Sequence, residues 1–292
     1  MPGPRKLPGV NAAPVALRRE IDIPALCAEN PCDIVYILGS FWPNSKSSYE
    51  SHLVKGFKEC CPVADFRPHI MQLCEFYAGR ALEKLEGWKF DWVARVLAST
   101  ETSPDDTRSM ALLAEVLCRR LAVRDLTHLF YKSESRPSMR RVERLSGPES
   151  LDRRVGYVLQ DLFIKPARMG GTVLLVDDIL NTGASMRVYA HALKHFAGVE
   201  RVIGLNLAAT RFHQGKDGLG RLNLDTTPIE PLPGFDTLSL DKNHVSHALA
   251  TCPSLTKPLT PTLRFLAEKR ASPCPACCEA PKQKRKWWKV FG

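Results

Sequence analysis

No run of apolar residues in this chain approaches the ~20 needed to cross a bilayer as a helix, so no membrane span is expected. Residues 1–17 are rich in Pro, Gly and Ala and lack the apolar core, roughly 7–15 residues long, of a secretory signal. Without an export signal, the ten cysteines are not expected to build a disulfide framework. Cys60 and Cys61 are adjacent and cannot bridge each other without strain. Cys27, Cys32, Cys74 and Cys118 lie among apolar neighbours, as buried thiols do. These absences lead us to expect a cytoplasmic protein. Zinc is also poorly provided for. Cys274-x-x-Cys277, followed by Cys278, is half of a zinc motif, and no second pair has the matching spacing. Zinc on Cys252, Cys274 and Cys277, with His244 and His247 also available upstream, is the less favoured reading because isolated half-motifs are common.

What is present fits a globular α/β protein. The 292 residues are 44% apolar and 25% charged, enough for a large core in one or two domains. The net charge of +10 is uneven: Arg264 to Gly292 holds eight basic residues against Glu268 and Glu279. Lys282 to Phe291 interleaves cations with Trp287 and Trp288. Such a strip can neutralise phosphates and stack bases, press on a membrane surface, dock on a protein partner, or stay solvated.

Hydrophobic periodicity gives the layout. Strands are predicted at 33–38, 91–97, 172–176 and 201–208, with a short one at 126–131. Helices are predicted from 48 to 57, over 68–85, over 110–121 with Asp105 or Asp106 at its start, and over 186–196. The alternation predicts a parallel sheet with helices on both faces. Residues 1–20 read as an ill-ordered leader, 21–222 as the folded domain, and 223–292 as an extended, proline-crowded segment. The polar, Arg-rich stretch 133–151 reads as a long loop.

The most informative stretch runs from Thr172 to Ser185, TVLLVDDILNTGAS. A doubly buried strand ends in Asp177-Asp178, and a short loop of Asn181, Thr182 and Gly183 leads through Ala184 and Ser185 into an amphipathic helix. Ligands of open α/β sheets bind beyond the carboxyl ends of the strands. Gly183 allows close backbone approach, Thr182 and Ser185 offer hydroxyls, and the helix start offers free N–H groups, all of which suit a phosphate. The plainer alternative is an ordinary strand–turn–helix with the acids favouring the helix start.

The segment resembles the PRPP-binding motif of the type I phosphoribosyltransferases. The resemblance implies that Asp177 and Asp178 hold the ribose hydroxyls, with Mg²⁺ directly or through water, and that residues Asn181, Thr182, Gly183, Ala184 and Ser185 wrap the 5′-phosphate. Asn181 stands where Thr or Ser is usual. The order of features from Ile34 to Arg211 is further similar to the ComF-like branch: YESHLVKGFK at 49–58, Phe76 to Leu82, Asp91-Trp92-Val93, and Arg153-Arg154 ahead of the strand. That branch usually opens with a four-cysteine ribbon, which this chain lacks. By position, Ala98, Ser99 and Thr100 correspond to the pyrophosphate loop, with Arg108, Arg140 and Arg141 as candidate clamps. Asp105 and Asp106 would be unfavourable beside a pyrophosphate.

The resemblance implies PRPP-dependent transfer of a ribose 5-phosphate group at C1, in nucleotide metabolism, with an acceptor that nothing in the chain names. It also implies a homodimer, as is frequent in the family. Two further readings are a catalytically silent sensor of PRPP or a nucleotide within a larger complex, and a nucleic-acid-associated protein of the DNA-uptake or defence type acting through the basic tail.

Overall fold

The computed structural model describes residues 13–29, 31–42, 48–60, 63–137, 150–210, 221–240, 245–247, 260–270 and 272–273. The chain opens with Val15–Ala16 (β1), Leu17–Glu20 (α1) and Ile23–Ala28 (α2), the last capped by Asp22, which accepts from the Ala25 amide at 2.9 Å. Ile34–Ile37 (β2) and Ser40–Phe41 (β3) lead to Tyr49–Glu59 (α3) and Arg67–Lys84 (α4). Trp92–Arg95 (β4), Ser109–Leu121 (α5), Arg124–Asp125 (β5) and Phe130–Lys132 (β6) follow. After the Leu151–Leu159 helix come Leu162–Ile164 (β7), Thr172–Leu180 (β8), the Ala184–Ala197 helix and Arg201–Thr210 (β9). Arg221–Leu224 (β10), Thr237–Leu240 (β11), Val245–His247 (β12), Thr260–Leu263 (β13), the Arg264–Arg270 helix and Ser272–Pro273 (β14) complete the described chain.

The protein is α/β. Its main sheet is parallel, in the order β10-β2-β9-β8-β4-β5, with β3 also pairing with β9. Period-two alternation along the central strands divides the core in two. Leu174, Val176, Ile203 and Leu205 face Phe57, Leu73 and Leu117 of α3, α4 and α5. Val173, Leu175 and Val202 face Met186, Tyr189 and Leu193 of the Ala184–Ala197 helix, together with Leu26 and Leu159. Each such side chain contributes about 1.5–3 kcal/mol on burial. Because the strands are parallel, the segments leaving β4 and β8 emerge at the same edge of the sheet and border one site.

Three sequence expectations need correction. Within the expected leader, residues 15–20 form β1 and α1: β1 pairs antiparallel with β7, and Leu17 is fully buried. Isolated apolar residues in a Pro- and Gly-rich context carry no periodicity, so only tertiary contacts reveal them. The last residue of the expected 133–151 loop, Leu151, begins a helix that carries Arg153 and Arg154 beside the buried Val155, and residues 138–149 lie outside the described residues. The C-terminal segment is not merely extended. β10 crosses the expected boundary at 222 into the main sheet, and β11 to β14 form a second sheet in the order β13-β11-β12-β14. Pro261 and Pro273 sit in its two edge strands, where a missing N–H is tolerated.

That second sheet is joined to the first core. Leu263, Phe265 and Leu266 are buried among residues of α3 and α4, and Phe265 stacks on His69 at 4.4 Å between ring centres. A Cβ on Gly56 of α3 would lie 2.3 Å from Leu263 Cδ1. Gly56→Ala is therefore expected to lose about 1–3 kcal/mol through overpacking, read by denaturant unfolding. An unchanged midpoint would show that the C-terminal segment does not press on α3.

Candidate functional site

A cavity of about 770 Å³ opens at the carboxyl ends of β4 and β8. Its walls include Asp177, Asp178, Asn181, Thr182, Gly183, Ala184 and Ser185 on one side, and Ala98, Ser99, Thr100 and Arg108 on the other. The two segments singled out in the sequence thus meet in space. Arg140, Arg141, Cys252, Cys274, Cys277 and the basic strip at 282–291 lie outside the described residues.

The acids do not end the strand. β8 continues to Leu180, and the pair projects to opposite faces of the sheet. Asp178 meets the Lys58 ammonium of α3 at 2.6 Å. Asp177 is pushed up to about 7, first by burial and then by the negative charge of Asp178, with Lys58 and Lys132 pulling the other way. Each carboxylate also accepts from the following amide, Asp178 N at 2.8 Å and Ile179 N at 2.6 Å.

The loop after β8 has its shape set by two features. Thr210 Oγ1 donates to Asn181 Oδ1 at 3.0 Å, which orients the Asn181 amide. Gly183 takes the left-handed conformation, φ 79°, and immediately precedes the Ala184–Ala197 helix. The first-turn amides of that helix have no acceptor within it, so they are available to an anion in the cavity.

The opposite wall is organised from below by a buried ion pair. Arg95 Nη1 and Nη2 donate to Glu101 at 2.9 and 2.6 Å, and both residues are at most 3% exposed. Glu101 also accepts from the amides of Ala98 at 2.5 Å and Asp105 at 3.1 Å, so it closes the loop on itself. Lys132 Nζ donates to the carbonyls of Leu97 at 3.1 Å and Ala98 at 2.7 Å. Burial pushes that ammonium down to about 8, although Asp161, Glu101 and Asp177 oppose the shift.

The two acids that looked unfavourable do not intrude. Asp105 accepts from Thr107 and from Arg108 Nε at 3.1 Å, and the Thr107 hydroxyl, with Arg108, holds it below the usual carboxylate range. Asp106 is exposed, and neither residue lines the cavity. Arg108 stays on the wall and donates to Thr100 Oγ1 at 3.3 Å.

Sequence reasoning missed Lys58, Lys132, Arg136 and the Arg95–Glu101 pair. Arg136 forks onto Asp161, donates to Gln160 at 3.0 Å, and lies 4.3 Å from the centre of the Tyr157 ring. Nothing in their local pattern signals a site, because their partners lie on other elements. The cavity wall carries seven cationic side chains against five carboxylates. Arg95–Glu101, Arg136–Asp161, Lys55–Glu59 and Lys58–Asp178 pair within the wall and Arg108 pairs with Asp105 outside the lining, so the formal excess of two positive charges falls to one when Asp105 is included. The surplus suits an anionic ligand, and the acid pair suits one that also carries hydroxyls or a divalent cation.

Asp177 titrates higher when folded than in an unfolded chain, so its contribution to stability is present below about pH 4 and lost as pH rises through about 7. Asp177→Asn is therefore expected to be more stable than the wild type at pH 8, with the difference fading towards pH 4, in melting curves recorded across that range. Glu101→Ala leaves the Arg95 charge buried without its partner and should cost about 3–5 kcal/mol in chemical unfolding. A loss below 1 kcal/mol would show that the pair does not organise the loop.

No family model matches the chain. A stretch of 51 residues is 41% identical to HGPRTase-like protein 1 of Haloferax volcanii, covering 18% of this chain and 27% of that protein. The same-named protein of Haloquadratum walsbyi is 41% identical over 49 residues, or 17% and 26% of the two chains. The chain thus spans about a quarter of the length of the curated relatives it matches. Among solved structures, adenine phosphoribosyltransferase from Thermoanaerobacter pseudethanolicus is 18% identical, with 52% of this chain and 79% of that one covered at a TM-score of 0.35. The Saccharomyces cerevisiae adenine phosphoribosyltransferase, complexed with an imino-altritol bisphosphate and adenine, gives 17%, 55%, 80% and 0.35.

Proposed function

We propose that the chain binds PRPP in this cavity and transfers its ribose 5-phosphate group from pyrophosphate to an acceptor at C1. The observation that carries the reading is the meeting of the Asp177–Asp178 strand end and its Gly183 loop with the Ala98–Thr100 wall around one positively biased cavity. The short identity to HGPRTase-like proteins supports it. The narrower likeness to the ComF-like branch rests on loose segment matches alone.

In this reading the 181–185 loop and the helix start take the 5′-phosphate, and Asp177 and Asp178 accept hydrogen bonds from the vicinal ribose hydroxyls. Hydroxyl donors favour the ionised form of Asp177, so binding draws its proton away. Lys58, whose ammonium is seated against Asp178, would share that carboxylate with the sugar hydroxyls. Hard carboxylate oxygens with a cation beside them fit Mg²⁺, which when bound with the substrate supplies charge neutralisation of the pyrophosphate. Arg108 and Lys132 stand on the pyrophosphate side, and the developing positive charge at C1 lies close to the acid pair. Holding both halves of the substrate and excluding water does most of the work in such a transfer.

A second reading, a PRPP or nucleotide sensor without turnover, has one specific observation in its favour. The Ala98 amide and the Lys132 ammonium already bond within the protein, to Glu101 and to the Leu97 and Ala98 carbonyls. The nucleic-acid reading rests on the 282–291 strip, outside the described residues.

Calorimetric titration of PRPP with and without Mg²⁺ tests the proposal. Mg²⁺-dependent binding is expected, and Asp177→Asn with Asp178→Asn should weaken it by on the order of 10²–10⁴-fold, as loss of two hydrogen bonds to charged groups at about 1.5–3 kcal/mol each implies. Equal binding by the double variant would place the ligand elsewhere. Release of pyrophosphate on adding a base separates the transferase from the sensor.

A further inference from the structure

The Ala184–Ala197 helix carries a second cluster of ligand atoms, far along from the loop that starts it. His191 and His195, four residues apart, lie on one face of that helix with their rings stacked at 4.0 Å. Both address Glu29, which follows α2. His191 Nδ1 is 2.6 Å from Glu29 Oε2, and His195 Nε2 is 3.8 Å from Oε1. One ligand atom from each of the three residues lies within 4.8 Å of the others.

We propose that Glu29, His191 and His195 form a binding site for a zinc-like divalent transition metal. Two imidazole nitrogens and a carboxylate are a borderline donor set of the kind zinc takes, with a fourth position left for water. Metal–ligand bonds of about 2.0–2.1 Å in a tetrahedron require ligand atoms about 3.3 Å apart. His191 Nδ1 lies 2.6 Å from one Glu29 oxygen and His195 Nε2 3.8 Å from the other, and an ion between them requires the stacked rings to turn so that both lone pairs converge.

The frame around the site is fixed. Arg187, one turn earlier on the same helix and fully buried, donates from Nη1 to the Glu29 carbonyl at 2.6 Å. The backbone of Glu29 is thereby held while its carboxylate stays on the histidine side. The neighbouring ammonium of Lys194 is drawn to Asp33 at 3.3 Å, which lessens its repulsion of a cation. His195, 56% exposed at its side chain, leaves a route for the ion. A bound metal would fasten the end of α2 to the helix that begins at the cavity. The proposal is independent of what that cavity binds.

The test uses the full chain, stripped with a chelator and kept reduced. Zn²⁺ is titrated against a chromophoric competitor, and Co²⁺ binding is followed by its visible spectrum. One equivalent is expected to bind through nitrogen and oxygen ligands and to be lost, or weakened at least 100-fold, in His195→Ala and in His191→Ala with His195→Ala. The ten cysteines are the competing ligands, and thiolate-to-cobalt charge-transfer absorption identifies them. His195→Ala changes an exposed side chain and serves as the variant that keeps its fold. Zn²⁺ should raise the melting temperature of the wild type and not of His195→Ala. Equal metal stoichiometry and affinity in wild type and variants, or a cobalt spectrum of thiolate character alone, would overturn the proposal.

Discussion

The Arg95–Glu101 ion pair is the constraint on which the site depends. A guanidinium and a carboxylate are costly to bury, and their attraction offsets that cost only when both are well satisfied. Here the carboxylate also takes two loop amides, so the pair and the turn after β4 form together or not at all. The benefit is one of geometry more than of stability. Residues 98–100 are held against the cavity from beneath, while the strand register of β4 with β8 sets their height relative to the acids. Lys132, reaching across from β6, seals the same turn from the other side through two carbonyls.

Against that fixed wall, β8 presents two chemically identical side chains in unlike surroundings. Asp178 faces α3 and has a cation. Asp177 faces the other side of the sheet, where burial and the like charge of Asp178 outweigh the pull of Lys58 and Lys132. Separating the protonation behaviour of a carboxylate pair by environment is a common way to give them different roles. Retaining a destabilised ionised group at the mouth of a cavity makes structural sense only where a ligand supplies donors or a cation to it.

How legible this was in the sequence differs from one element to the next. The β8 strand, its acids and the Gly183 loop could be read because local pattern alone specifies them: an apolar run, two charges, then turn chemistry. Helices α4 and α5 were legible through periodicity, Arg67–Lys84 against an expected 68–85 and Ser109–Leu121 against 110–121. β1 was not, because two residues pairing with a distant strand have no period to show. The C-terminal sheet was hidden by its prolines, which read as breakers but occupy edges. Lys58, Lys132 and Glu101 escaped notice for a common reason. Their meaning lies in partners on other elements, and a single sequence carries no record of which residues meet. Asp105 and Asp106 show the reverse error, since adjacency in sequence to the loop suggested a charge conflict that the local hydrogen bonds remove.

The Ala184–Ala197 helix ties these parts into one mechanical unit. Its first turn faces the cavity, its Tyr189 hydroxyl accepts from the Leu97 amide at the base of the opposite wall, and its Arg187 grips the end of α2. A displacement of this helix therefore cannot be confined to one place. It would shift the anion-facing amides, the turn that Glu101 closes, and the N-terminal segment together. The fully buried Arg187 gives this coupling its stiffness, since a guanidinium withdrawn from water has few alternative positions that satisfy its donors. On this view the described part of the N-terminal segment belongs to the scaffold of the cavity, reached through one helix, although none of its described residues lines the cavity.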